Sequence, residues 1–121
     1  MQIDHKVHLL GHRSDIAEMN HCADIFAFPS KREGLGLAAI EAMCAGLPLL
    51  TSNIHGIIDY SQNNKSGFNC DSSDFTQFSQ FLLQLADSKI LRTQMGTYNK
   101  RKVKRFSLDT VLAAMKEIYK L

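Results

Sequence analysis

At 121 residues the chain can build one hydrophobic core and is short for a two-domain enzyme. Apolar residues make up 45% and charged residues 21%, which is ordinary globular usage. Fourteen Lys and Arg against twelve acids leave a net charge of +2, too small to imply a nucleic-acid partner. No apolar run reaches about 18 residues and the opening MQIDHKVHLL has no signal-peptide core, so the expectation is a soluble, cytoplasmic protein. Cys22, Cys44 and Cys70 are odd in number and form no Cys-x-x-Cys, and read as reduced core thiols rather than a disulfide frame.

In chain order, Val7-His8-Leu9-Leu10 reads as a short buried strand closed by Gly11. Ser14 or Asp15 can cap the next helix, and Asp15-x-x-Glu18 fits a capping box. Ile16, Met19 and His21-Cys22-Ala23 give that helix its stripe. Ile25-Phe26-Ala27-Phe28 is unbroken in apolarity, as a strand covered on both faces should be, and Pro29-Ser30 ends it. The apolar run after Gly36 reads as a buried helix stopped by Gly46 and Pro48, and Leu47 to Thr51 as a third strand. Gly56 marks a loop, Ile57 to Tyr60 a single helical turn, Asn63 to Gly67 a turn, and Phe68-Asn69-Cys70 a fourth strand. Asp74 caps a helix with Phe75, Phe78, Leu82 and Leu85 at helical spacing, and Phe75, Phe78 and Phe81 are expected in the core. A second helix runs from about Lys89 toward Arg105, loosened at Gly96. A third starts at Ser107 with Val111, Leu112, Met115, Ile118 and Tyr119 on one face. Strands alternating with helices imply an α/β, Rossmann-like parallel sheet with flanking helices, whose ligands sit beyond the carboxyl ends of the strands. The Glu33 loop and the Thr51-Ser52 loop both reach that edge.

The chemistry concentrates in Glu33-Gly34-Leu35-Gly36-Leu37-Ala38-Ala39-Ile40-Glu41-Ala42-Met43-Cys44-Ala45-Gly46-Leu47-Pro48. Between Gly34 and Leu50 the only charged residue is Glu41, and an ionised carboxylate among apolar neighbours is costly without a hydrogen-bond partner. With a helix start near Gly36, Glu41 lies ~7 Å along the axis at 1.5 Å per residue. The free N–H groups of Leu35, Gly36 and Leu37 then point out of the helix start, where an anion is favoured. Gly34 and Gly36 let a ligand approach the backbone. A phosphate at the helix tip, with hydroxylated groups at Glu41 and Glu33, makes a nucleotide-sugar site. The competing reading is a loop acid and a solvated helix acid.

Other features are less specific. Arg13, after Gly11-His12, is either a contact to base or phosphate or a surface residue. Ser30 and Thr51 read as caps rather than ligands. His5 and His8 point to opposite faces of a strand, a poor chelate, and with His12 read as structural rather than as a metal site. Lys100 to Arg105 holds five basic residues in six, either a solvated helix face or a patch facing an anionic membrane or a lipid-diphosphate acceptor.

The paired glutamates in EGLGLAAIEAMCAGLP resemble the signature of the retaining GT-B glycosyltransferases of family 4. VHLLGHRSDI is similar to that family's strand-glycine-helix segment, and ADIFAFPS to its strand ending in proline-serine. KSGFNC resembles its glycine turn and strand, and FSLDTVLAAMKEIY its closing helix, so nearly the whole chain is covered. His55-Gly56 and Asp59 depart from the Gly-Gly and later acid usual in LPLLTSNIHGIIDY-like segments. The resemblance implies that residues 1–121 are the C-terminal, donor-binding part of a GT-B fold without its acceptor domain and leading strand. It implies that Glu41 accepts hydrogen bonds from the ribose hydroxyls and that Glu33, the catalytic candidate, holds donor-sugar hydroxyls by positioning and charge. The backbone of Gly34, Leu35, Gly36 and Leu37 would face sugar and diphosphate. The implied reaction moves a hexosyl unit, with retention, from a UDP- or GDP-linked donor to a saccharide or lipid-linked acceptor. The leaving phosphate would help deprotonate the acceptor, with no metal or other cofactor. Two rivals stand: a non-catalytic nucleotide-sugar-binding subunit completed by a partner chain, and a GT-B-fold UDP-sugar epimerase. The missing strands lead us to expect an unprotected sheet edge and a dimer through it, and the basic run a peripheral membrane contact.

Overall fold

The computed structural model describes residues 2–120. Three strands, β1 (Phe26–Phe28), β2 (Leu49–Ser52) and β3 (Gly67–Cys70), form one parallel sheet in the order β1-β2-β3. The register pairs Phe26 with Leu49 and Leu50 with Phe68. Helix α1 (Ile16–Cys22) precedes the sheet, α2 (Leu37–Cys44) joins β1 to β2, and α3 (Phe75–Asp87), α4 (Lys89–Lys102) and α5 (Leu108–Tyr119) follow β3. The parallel α/β arrangement expected from the alternation is the one observed.

All four residues of β2 are buried, because both faces of the central strand are covered. On one face Leu49 packs with Ala39, Ile40, Ala42 and Met43 of α2 and with Ile57, Tyr60 and Val103. On the other, Leu50 and Phe68 meet Leu85 of α3 and Met95 of α4, and the Phe68 and Phe81 rings stack with centroids 4.5 Å apart. Asn99 of α4 is fully buried and donates from Nδ2 to the carbonyls of Leu47 at 2.7 Å and Ser66 at 2.8 Å, tying the helix to the entries of β2 and β3. Asp74, Ser88 and Ser107 cap α3, α4 and α5 by accepting from the N–H groups of Gln77, Leu91 and Thr110.

Several expectations are corrected. Val7–Leu10 is not a strand: Val7 has extended angles, but no neighbouring strand receives the segment among the described residues, and Leu9 is 96% exposed. A strand without a ladder leaves its backbone to water. Asp15 sits at the N-cap of α1 without making a capping bond, because its carboxylate is engaged by Arg13. Gly96 does not loosen α4, which runs unbroken to Lys102 before a 3-10 turn at Val103–Phe106. A Cβ on Gly96 would lie 2.0 Å from the Gly46 carbonyl oxygen, so the glycine serves close packing. Phe75 is exposed in the first turn of α3, while Phe78 and Phe81 are half-buried against the second core cluster. Of the three thiols only Cys70 is buried; Cys22 and Cys44 face solvent. Helix α5 does not pack on the sheet, and all its residues are exposed.

Candidate active site

The site lies where β1 and β2 end. Pro29-Ser30 carries the chain out of β1 into the Glu33 loop, and Asn53 to Gly56 carries it out of β2. These loops touch: a Cβ on Gly56, at φ +85°, would lie 2.0 Å from the Gly34 carbonyl oxygen and 3.1 Å from that of Glu33. Only a glycine permits that approach. It fixes the backbone of Glu33-Gly34 against the end of the sheet.

Glu33 is half-buried, and its carboxylate accepts a hydrogen bond from Ser30 Oγ at 3.1 Å. Ser30 Oγ, which also lies 3.0 Å from the Arg32 carbonyl, ties the loop around the candidate acid, in line with its reading as a cap. Helix α2 opens at Gly36, held at φ +77°, and no side chain caps it. The N–H groups of its first turn therefore lack capping partners from the chain's side chains, which leaves an electropositive end available to an anion. Leu35 and Leu37 are exposed around that end, Leu37 at 65%.

Glu41 differs from expectation in its setting. It is exposed, on the α2 face that also carries Leu37, Ala38 and Cys44, while Ala39, Ile40, Ala42 and Met43 turn inward. The run is rich in alanine, so a small apolar residue on the outer face hides the amphipathicity. The Glu41 carboxylate consequently needs no protein partner; it lines an open cleft of about 540 Å³ between α1 and α2. Ser14, Ile16, Ala17 and His21 of the α1 region line the same cleft; the sequence offers Ser14 as a cap and Ile16 and His21 as the helix stripe, and none of the four as a site residue. His21 Nδ1 lies 2.7 Å from the Ala17 carbonyl, which leaves Nε2 to face the surroundings.

Arg13 is exposed and forms a two-pronged ion pair with Asp15, with Nε to Oδ1 at 2.7 Å. The pair raises the Arg13 pKa and lowers that of Asp15. Thr51 is wholly buried beneath the site in a polar cluster, sharing bonds with Ser61 Oγ and Asn69 Nδ2. The basic residues Lys100, Arg101, Lys102, Lys104 and Arg105 are all exposed. Arg101 and Lys102 lie over the Tyr98 ring, and Arg105 donates to the Asp59 carbonyl and covers Phe106. Tyr60, another residue not singled out from the sequence, is buried beside this site, and its hydroxyl donates to the Gly36 carbonyl at 3.3 Å.

A parallel sheet with flanking helices, and loops gathered at the carboxyl ends of its strands, defines an α/β domain of the kind that holds its ligands at that edge. Residues 1–102 match the family model of the glycosyl transferases group 1, and the chain belongs to that family. Among curated relatives it is 31% identical, over 98% of its length, to a UDP-Gal:alpha-D-GlcNAc-diphosphoundecaprenol alpha-1,3-galactosyltransferase of Escherichia coli. It is 30% identical, over 92% of its length, to the capsular polysaccharide biosynthesis glycosyltransferase CapM of Staphylococcus aureus. The chain spans 31% and 30% of those two proteins, about a third of each. Among solved structures, a Staphylococcus aureus TarM variant in complex with fondaparinux, alpha-GlcNAc-glycerol and UDP superposes with a TM-score of 0.89. The match covers 98% of this chain and 24% of TarM at 21% identity, and shows the shared GT-B fold. The family read from the paired glutamates is therefore borne out.

Proposed function

We propose that this chain is the nucleotide-sugar-binding part of a retaining glycosyltransferase acting in polysaccharide or glycoconjugate biosynthesis. The whole protein moves a hexosyl unit from a UDP- or GDP-linked donor to a saccharide or lipid-linked acceptor. The observation that carries this reading is the geometry of α2. Its uncapped start at Gly36 offers N–H groups to a diphosphate, and Glu41, just over a turn further on, lines an open cleft with room for a nucleoside. The names of the relatives, two glycosyltransferases of which one acts on UDP-Gal, support the same class of donor.

In this reading Glu41 accepts hydrogen bonds from the ribose hydroxyls. The backbone of Gly34, Leu35, Gly36 and Leu37 receives the diphosphate and sugar. Glu33, beside Ser30 Oγ, holds hydroxyls of the donor sugar and stabilises the positive charge that develops at the anomeric carbon. Glu33 is thus a positioning and electrostatic group, and the leaving phosphate takes the acceptor proton. Arg13, freed from Asp15, would supply a further contact to base or phosphate.

Isothermal titration of the 121-residue chain with UDP and GDP, and of its Glu41→Ala variant, tests the reading. Binding of one nucleotide by the parent and its loss in the variant support it. Absence of binding by the folded parent to both removes it. Binding in an intact protein that transfers no sugar would favour the non-catalytic subunit instead.

A further inference from the structure

Tyr60 meets the candidate site from beneath the start of α2. It lies in the turn that follows Gly56, is only 3% exposed, and directs its hydroxyl at the Gly36 carbonyl, 3.3 Å away. The same carbonyl accepts from the N–H groups of Ala39 at 3.0 Å and Ile40 at 3.4 Å as α2 begins. The ring is itself held, edge to face against Phe106 with centroids 6.1 Å apart and planes at 88°. A Cβ on Gly36 would stand 2.7 Å from the Tyr60 hydroxyl and 3.2 Å from the Phe28 ring, so Tyr60 and Phe28 form the wall on which the Gly36 peptide rests.

A trans peptide sets its C=O and its N–H antiparallel. Whatever fixes the Gly36 carbonyl therefore fixes the N–H of Leu37, which points out of the open end of α2. We propose that Tyr60 is a positioning residue for the donor diphosphate, aiming the Leu37 N–H through the Gly36 carbonyl. The inference rests on the nucleotide-sugar reading above. Burial, and then the nearby Glu33 charge, push the Tyr60 phenol up to about 12, so at neutral pH it remains a proton donor to that carbonyl.

The test uses the 121-residue chain and two variants. Tyr60→Phe removes the hydroxyl and keeps the ring; Tyr60→Leu removes both. UDP, GDP and the corresponding free nucleosides are titrated into each, with thermal unfolding measured in parallel. Tyr60→Phe should weaken diphosphate binding about 2- to 10-fold, the worth of one neutral hydrogen bond, while nucleoside binding through Glu41 is unchanged. Equal affinity for the diphosphate in parent and Tyr60→Phe overturns the inference. So does an equal loss for nucleoside and nucleoside diphosphate together with a lowered melting temperature, which would make Tyr60 merely structural. If the parent binds neither nucleotide, the nucleotide-sugar reading fails and the aiming is judged alone by amide NMR. A changed Leu37 amide shift and faster Leu37 exchange in Tyr60→Phe then support the positioning, and an unmoved Leu37 resonance overturns it.

Discussion

Two carboxylates in this chain sit in different settings, and the difference predicts different losses. Glu41 is exposed on α2 with no protein partner, so Glu41→Ala should leave stability within about 0.5 kcal/mol of the parent. A charge-assisted contact to ribose contributes about 1.5–3 kcal/mol, so the same variant should bind nucleoside diphosphate roughly 10- to 150-fold more weakly. Glu33→Ala in the intact enzyme should retain nucleoside diphosphate affinity and lower turnover, because in its proposed role it meets only the sugar and the charge of the transition state. Affinity and rate constants measured side by side decide this; two solvated acids would leave both unchanged. Tyr60 supplies a pH signature. Its native pKa, pushed up to about 12 by burial and by Glu33, lies above the roughly 10 of an unfolded tyrosine. The native state then holds the proton more tightly, so this contribution to stability is complete below about pH 10 and is lost as pH climbs toward 12. Urea denaturation across that window should show a steeper decline in the parent than in Tyr60→Phe, and parallel declines would refute it.

At the scale of elements, the sheet is held by helices that approach closely. Alanine is favoured over glycine in a helix interior by about 1 kcal/mol, so propensity alone predicts that Gly96→Ala stabilises α4. Packing predicts the opposite, since the added Cβ would lie 2.0 Å from the Gly46 backbone oxygen, which cannot rotate away. Overpacking of this kind costs about 1–3 kcal/mol, and chemical denaturation of Gly96→Ala should show a net loss. An unchanged or raised midpoint would mean that α4 can slide without cost. The same contrast explains what could be read from the sequence. Strands β1, β2 and β3 announced themselves by apolar runs between turn residues, and α2 by its glycine and proline borders. The caps of α3 and α5 followed from Asp74 and Ser107 alone. The exposure of Glu41 did not follow, because alanines on both sides of α2 erase the stripe that would show which face is wet. Val7–Leu10 misled for another reason: a strand's apolarity is written in its own residues, but its pairing is written in a neighbour. The role of Tyr60 depends on a bond across 24 residues, which no local pattern encodes.

For the molecule as a whole, the covered and uncovered surfaces set its behaviour in solution. Strand β1 is at the edge of the sheet, and the Phe26 N–H bonds to the Pro48 carbonyl on the β2 side. In a parallel ladder alternate residues face the same neighbour, so the Ala27 N–H faces outward, free to pair with another chain. Helix α5 adds a second open surface, with Leu108, Val111, Leu112, Met115, Ile118 and Tyr119 between 43% and 74% exposed. Apolar exposure on that scale favours association. The isolated 121-residue chain is therefore expected to self-associate, and light scattering should give a mass that rises above 13.6 kDa with concentration. Two substitutions separate the surfaces. Ala27→Pro removes the outward N–H of the edge strand, where proline is tolerated, while Val111→Glu places a charge on the apolar face of α5. If the edge carries the dimer, Ala27→Pro should return the mass to that of a monomer and Val111→Glu should not. The reverse result assigns association to α5, and a parent that stays at 13.6 kDa across the concentration range refutes both.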